Sequence, residues 1–172
     1  MYKWIACLFL LSTSLQAQDF FDKYPELTPF MQSIEKSQES LKQVIARGEE
    51  VLPHAYDGGI ELTGFFKEGS IRKMELSVGI SYGNHQINYY FRSDSLYLVK
   101  HTFDQFVWDE EKAALDYTQK ETSFEGYYFF GKPFDSTHKG TGRYESENLD
   151  PETTLREEAK EYLAILNKKR QP

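Results

Sequence analysis

The chain has 172 residues, 40% hydrophobic and 27% charged, enough apolar side chain for one core and too little for two. With 11 Gly, 6 Pro and 16% aromatic residues it is neither collagen-like nor low in complexity, because that much ring surface does not stay solvated. The formal net charge of −7, with Lys168-Lys169-Arg170 as the one basic cluster, excludes a phosphate-backbone binder, so no nucleic-acid partner is expected.

Lys3, the apolar run Trp4 to Leu11 and the softer exit ending in Gln16-Ala17 form the pattern of a secretory signal. Cleavage after Ala17 makes residues 1–17 a signal peptide and 18–172 a single domain, periplasmic or secreted. The apolar run would span about 12 Å as a helix, against roughly 30 Å of bilayer core, so no transmembrane segment is expected after cleavage. Cys7 follows Ala6 as a lipidated cysteine would, but the apolar run continues behind it to Leu11, whereas a lipidated cysteine should end that run. Without the leader no cysteine remains, which removes disulfides, thiolate nucleophiles and Cys-ligated metals from the expected chemistry.

Thr28-Pro29 reads as a helix start, and Phe30, Ile34, Leu41, Val44 and Ile45 recur at helical spacing, predicting one helix from Pro29 to Arg47 that ends at Gly48. The period then changes to two. Ile60, Leu62, Gly64 and Phe66 form one strand, and Met74, Leu76, Val78, Ile80 and Tyr82 the next. Matching these two in one core needs an odd loop, which Glu68-Gly69-Ser70 would supply. Gly83-Asn84 is expected as a hairpin turn, followed by Ile87, Tyr89 and Phe91, a Ser93-Asp94 turn, and a strand from Leu96 to Phe103. An unbroken register from that turn pairs Phe91 with Leu96, Tyr89 with Leu98 and Tyr90 with Tyr97. It leaves Tyr90, Arg92, Tyr97, Val99, His101 and Phe103 on the face away from the core.

A further strand pair is expected at 105–108 and 122–130, separated by Asp109-Glu110-Glu111, and a long polar loop from Asp135 to Asn148 with room for a short edge strand. Asp150-Pro151-Glu152 then gives a cap, a first-turn proline and an early acid, opening a second helix with the stripe Leu155, Ala159, Tyr162, Leu163 and Leu166. The terminal Lys168-Lys169-Arg170 suits the negative end of that helix.

No nucleophile set beside an evident base gives covalent catalysis a foothold, and Gly140-Thr141-Gly142 beside Lys139 lacks the spacing of a phosphate cradle. The four histidines, His54, His85, His101 and His138, are scattered and read as surface residues, so neither metal nor cofactor is expected. Asp109-Glu110-Glu111 and the pair Glu145 and Glu147 could act as paired carboxylates or hold Ca²⁺, but without Asp-x-Asp-x-Asp-Gly spacing they read as solvated acidic turns. The remaining feature is the outward patch Tyr90, Arg92, Tyr97, His101 and Phe103, which suits contact with a protein or carbohydrate partner; burial under the second helix or an arm holding Phe20 and Phe21 is the competing reading.

The stretch Tyr89-Tyr90-Phe91-Arg92-Ser93-Asp94-Ser95-Leu96-Tyr97-Leu98-Val99-Lys100 resembles a hairpin of small secreted proteins of Bacteroidota, some with PepSY-like or β-lactamase-inhibitor-like modules. That resemblance implies helices on one face of an antiparallel sheet and carries over no functional residue. The expected fold is α+β, an antiparallel meander of about five strands with N- and C-terminal helices packed on one face; a sheet curled round a cavity, cystatin-like or nuclear-transport-factor-like, is the alternative. The expected function is a non-enzymatic envelope binding module, with a small-molecule or lipid carrier second and a hydrolase third.

Overall fold

The computed structural model describes residues 17–53 and 57–171, so Cys7, most of the expected signal segment and His54 lie outside the described residues. A helical segment at 17–23 leads into helix α1 (Leu27–Ser37), and β1 (Lys42–Arg47) and β2 (Ile60–Lys67) follow. Next come β3 (Ser70–Ile80), β4 (Gly83–Arg92), β5 (Ser95–Asp109), β6 (Ala114–Phe129) and β7 (Asp135–Lys139), then the helical turn α2 (Arg143–Ser146) and the long helix α3 (Pro151–Arg170). The sheet has seven strands in the order of the sequence, and every neighbouring pair is antiparallel. The α+β class and the meander are as expected; two strands lie beyond the expected five.

The first of these extra strands replaces half of the expected first helix. Helix α1 starts at Leu27, ahead of Thr28, and stops at Ser37, where the hydroxyls of Ser33, Ser37 and Ser40 turn back to carbonyls three or four residues earlier. Such bonds offer the backbone an alternative to the helix ladder. Val44 and Ile45 are β-branched and favour a pleated surface. In β1 they point to opposite faces, and Val44 and Ala46 are buried against Gly64 and Leu62 of β2. The second extra strand is β7, the edge strand within the polar stretch.

Two hairpins share one device. The turns Glu68-Gly69 and Ser93-Asp94 each hold two residues at positive φ (51° and 91°, 51° and 59°), the geometry of tight two-residue hairpin turns. In each hairpin a one-residue bulge then shifts the register, at Arg72 in β3 and at Tyr97 in β5. The first bulge pairs Leu62 with Leu76 and Gly64 with Met74, the match that an odd loop was expected to give. The second moves the expected pairing: Phe91 does face Leu96, but Tyr89 faces Val99 and Tyr90 faces Leu98. Because side chains alternate, one inserted residue sends Val99, His101 and Phe103 to the face of Tyr89 and leaves Tyr90 and Leu98 on the other. The β3–β4 turn lies at Ser81-Tyr82, two residues before Gly83-Asn84.

Both faces are covered, and by different helices. Helix α3 lays Leu155, Ala159, Tyr162 and Leu166 over the face of Met74, Tyr89, Val99 and Tyr128. Helix α1 and Phe20 cover Tyr90, Leu98 and Phe129 on the opposite face. The helices therefore do not share a face as expected; the molecule is a three-layer α+β sandwich. Asp150 caps α3 by accepting from the Thr153 N–H at 2.9 Å, and the far end is tied down by Lys169 on Glu50 and by Arg170 donating to the Gly69 carbonyl at 2.7 Å. Under α1 lies Lys73, 2% exposed, paired at 2.6 Å with both Glu35 and Glu75, its ammonium also 5.4 Å from the Tyr90 ring centre. Among the described residues no helix is long and apolar enough to cross a membrane.

Strands β5 and β6 outrun their neighbours. Pairing with β4 ends where Gly83 meets Gln105, and pairing with β7 covers 125–129 only. Residues 104–122 thus form the base and length of a two-stranded arm that leaves the sandwich after Gln105, interrupted where Phe106 pairs with Lys120 but Val107 with Asp116.

Candidate functional site

On the α3 side of the sheet, consecutive cross-strand rows place His85 opposite Phe103 and Phe103 opposite Phe124, with His101 between Ile87 and Gly126. His85, His101, Phe103 and Phe124, with Tyr82 from the β3–β4 turn, form the floor and one wall of a cleft of about 260 Å³. Residues 141–147, around α2, form the other wall with Thr141, Arg143, Ser146 and Glu147. Gly126 makes the packing beneath it possible: a Cβ there would lie 2.9 Å from the Phe124 ring and 3.0 Å from the Tyr128 hydroxyl.

His101 is 1% exposed, and its Nε2 lies 3.0 Å from Nδ1 of His85, while its own Nδ1 has no hydrogen-bond partner. Burial first, then the nearby His85 and Arg143, lower its pKa to about 3. Burial and Arg143 also lower the pKa of His85. Two neutral imidazoles at this distance share a single proton between the facing nitrogens, so one ring donates and the other accepts. His85 stacks on Phe103 with centroids 4.4 Å apart, and Tyr82 meets the same ring edge-on at 5.7 Å.

The one cation on the cleft wall is already engaged. Arg143 donates to Glu158 at 2.7 Å, and the same carboxylate accepts from Tyr89 at 3.1 Å. Burial works against the guanidinium charge, but Glu158 outweighs it and raises the pKa of Arg143. The neighbouring Tyr144 is buried, its hydroxyl is without a partner, and burial raises its pKa. The cleft therefore offers the rings of Tyr82, Phe103 and Phe124, a neutral imidazole pair, hydroxyls and one exposed carboxylate, Glu147, itself 3.5 Å from Arg143 Nε, with little net charge.

Of the five residues expected to form an outward patch, the structure brings two, His101 and Phe103, into this cleft. Tyr90 is buried under α1 and donates to Glu35 at 2.7 Å, so it belongs to the core. Arg92 is exposed and donates to the Tyr97 hydroxyl at 3.1 Å, while the Tyr97 ring packs edge-on against Phe30 and Phe129. Val99, expected to face outward, is fully buried. His101 is likewise no surface histidine. The cause in both cases is the bulge at Tyr97, which also brings His101 to the face of His85; Tyr82 and Arg143 reach the cleft from a turn and a helical turn that residue spacing does not place.

The acidic turn at Asp109 is a structural cap: its carboxylate accepts from the N–H groups of Glu111 and Lys112 and pairs with Lys112 Nζ at 2.6 Å. These bonds, the Lys112 side chain foremost, hold the Asp109 pKa below the usual carboxylate range. The side chain of Glu145 lies outside the described residues. Among the described residues no three His, Cys, Asp or Glu side chains converge as a metal site would require. Comparison of the chain with family models, with curated proteins and with solved structures finds no match.

Proposed function

We propose that the protein is an exported, non-catalytic binding module of the cell envelope that holds a neutral polyhydroxylated ligand, a saccharide, in the His85–His101 cleft. The observation that carries this reading is the meeting of a neutral imidazole pair with aromatic faces where the one cation among the described lining residues, Arg143, is bound to Glu158. An anionic ligand would find no free positive charge there, and a purely apolar one would bury the polar wall unpaired. A sugar presents apolar C–H faces to rings such as Tyr82 and Phe103, and its hydroxyls can donate to or accept from the imidazoles, Glu147 and Ser146.

Titration of mono- and oligosaccharides into protein labelled at histidine tests the proposal through the imidazole NMR signals. The expected result is saturable shifts at His85 and His101 for at least one sugar, with affinity lowered about tenfold or more, roughly 1.4 kcal/mol, by Tyr82→Ala. Tyr82 is 50% exposed, so that variant keeps its fold. Histidine signals that stay fixed with every sugar at millimolar concentration overturn the saccharide assignment.

A further inference from the structure

Three large hydrophobic residues stand exposed among the described residues: Tyr82 (50%), Trp108 (57%) and Tyr117 (65%). Tyr82 belongs to the cleft; the other two sit on the arm and pack against no helix. The Tyr117 ring meets Phe106 edge-on at 5.0 Å, and Lys120 Nζ lies 5.2 Å from the Phe106 ring centre. Aromatic faces on this arm therefore already hold one ammonium group.

The arm's charge is one-sided. Residues 104–122 carry six carboxylates, at 104, 109, 110, 111, 116 and 121, against Lys112 and Lys120. Asp104 is hydrogen-bonded to Thr122, and Asp109 and Asp116 cap their own turns. Among the described residues Glu110, Glu111 and Glu121 make no ion pair, and all three are exposed. A second copy of a chain of net charge −7 would bring like charges together here, and anionic lipid or nucleic acid would be repelled. Addition of a strand is blocked on the β6 side by the break at 117–119, where the Asp116 carboxylate takes the Thr118 N–H at 2.9 Å.

We propose that the arm is a docking surface for a cationic segment of a partner protein, whose Arg or Lys side chains lie over Trp108 and Tyr117 while Glu110, Glu111 and Glu121 neutralise their charge. Recognition is by side chains, with the ring faces supplying attraction that salt does not fully screen.

Nona-arginine peptide titrated into the chain after leader removal is the probe. Trp108 is the only tryptophan of residues 18–172, so its emission reports the arm directly. The expected result is a saturable change in emission, and a Kd by calorimetry that weakens at least tenfold in Trp108→Ser/Tyr117→Ser, which leaves every charge in place. Glu110→Gln/Glu111→Gln/Glu121→Gln is expected to weaken binding and flatten its salt dependence. Circular dichroism confirms that each variant is folded. An unchanged Kd in the aromatic double variant overturns the proposal, because attraction by charge alone then explains binding. A blue shift of Trp108 with phosphatidylcholine vesicles overturns it in favour of a membrane surface, and a dimer in sedimentation that Trp108→Ser dissociates overturns it in favour of self-association.

Discussion

From Ser95 to Phe103, strand β5 has β4 on one side, β6 on the other and a helix over each face; from Phe106 to Asp109 it has β6 and little else. Both stretches are rich in aromatic and β-branched residues. Leu98 and Val99 are fully buried in the first, and Trp108 is 57% exposed in the second. What separates them is the supply of covering elements, since β4 begins at Gly83 and α3 lies over the other end of the sheet. The same residue types are thus core in one half of a hairpin and partly or largely accessible in the other, and full burial, at about 25 cal/mol per Å², is reached only in the first half.

The sharpest way to expose this contrast is truncation in the covered half. Leu98→Ala removes a fully buried side chain between α1 and the sheet and is expected to lose about 3–5 kcal/mol in urea unfolding, as large cavities do. Next in size is the charge beneath the same helix. Lys73 is 2% exposed, whereas Glu35 and Glu75 are 44% and 27% exposed, so the two sides of the cluster differ in what they leave behind. Glu35→Gln with Glu75→Gln strands a buried ammonium and is expected to cost about 3 kcal/mol. Lys73→Met leaves two carboxylates that water can reach and is expected to cost less than half as much. Equal losses would show that the ion pair, not the buried charge, is the dominant quantity.

Much of this architecture was legible in residue order. The meander, the cap at Asp150, the stripe of α3 and the facing of Phe91 by Leu96 all follow from local pattern, because turn chemistry and period are properties of neighbouring residues. Helix α1 was overextended because Leu41, Val44 and Ile45 satisfy helical spacing and strand alternation alike, and only pairing with β2 decides between them. The candidate site was half legible. His101 and Phe103 were among the residues singled out, but on the wrong face, since a single bulge at Tyr97 inverts every later position of β5. Nothing in the residues 95–99 marks that bulge; the signal was in the other hairpin, where parity demanded an extra residue and Arg72 supplies it.

The buried imidazole gives the covered half a pH signature that the arm lacks. His101 has a pKa of about 3 in the folded protein and about 6.5 unfolded, and the groups facing it are His85 from β4, and Arg143 and Tyr144 from α2. Above pH 6.5 both states are neutral and the full stability is present. Below it the unfolded chain takes a proton that the folded chain refuses, so stability falls by about 1.4 kcal/mol per pH unit toward pH 3, or about 2 kcal/mol by pH 5. His85, with its pKa also lowered, adds in the same direction. The carboxylates with lowered pKa, such as Asp135, lose their contribution only below about pH 4. Urea midpoints between pH 7 and pH 5 therefore read the histidines, and His101→Gln is expected to flatten the slope; an unaltered slope would mean that His101 is protonated in the folded protein.

The smallest effect on stability belongs to the arm. Trp108→Ser removes one of the largest side chains in the protein, yet its ring is more than half exposed and covered by no helix, so its loss is expected to change unfolding free energy by no more than about 0.5 kcal/mol. The variant also keeps the Trp108–Leu115 backbone pairing and the Asp109 cap, neither of which uses the indole. A loss near that of Leu98→Ala would mean that the arm folds back onto the body and is core. A near-zero loss leaves a large apolar side chain that stabilises nothing in its own molecule, and a ring in that position contributes free energy only when something else covers it.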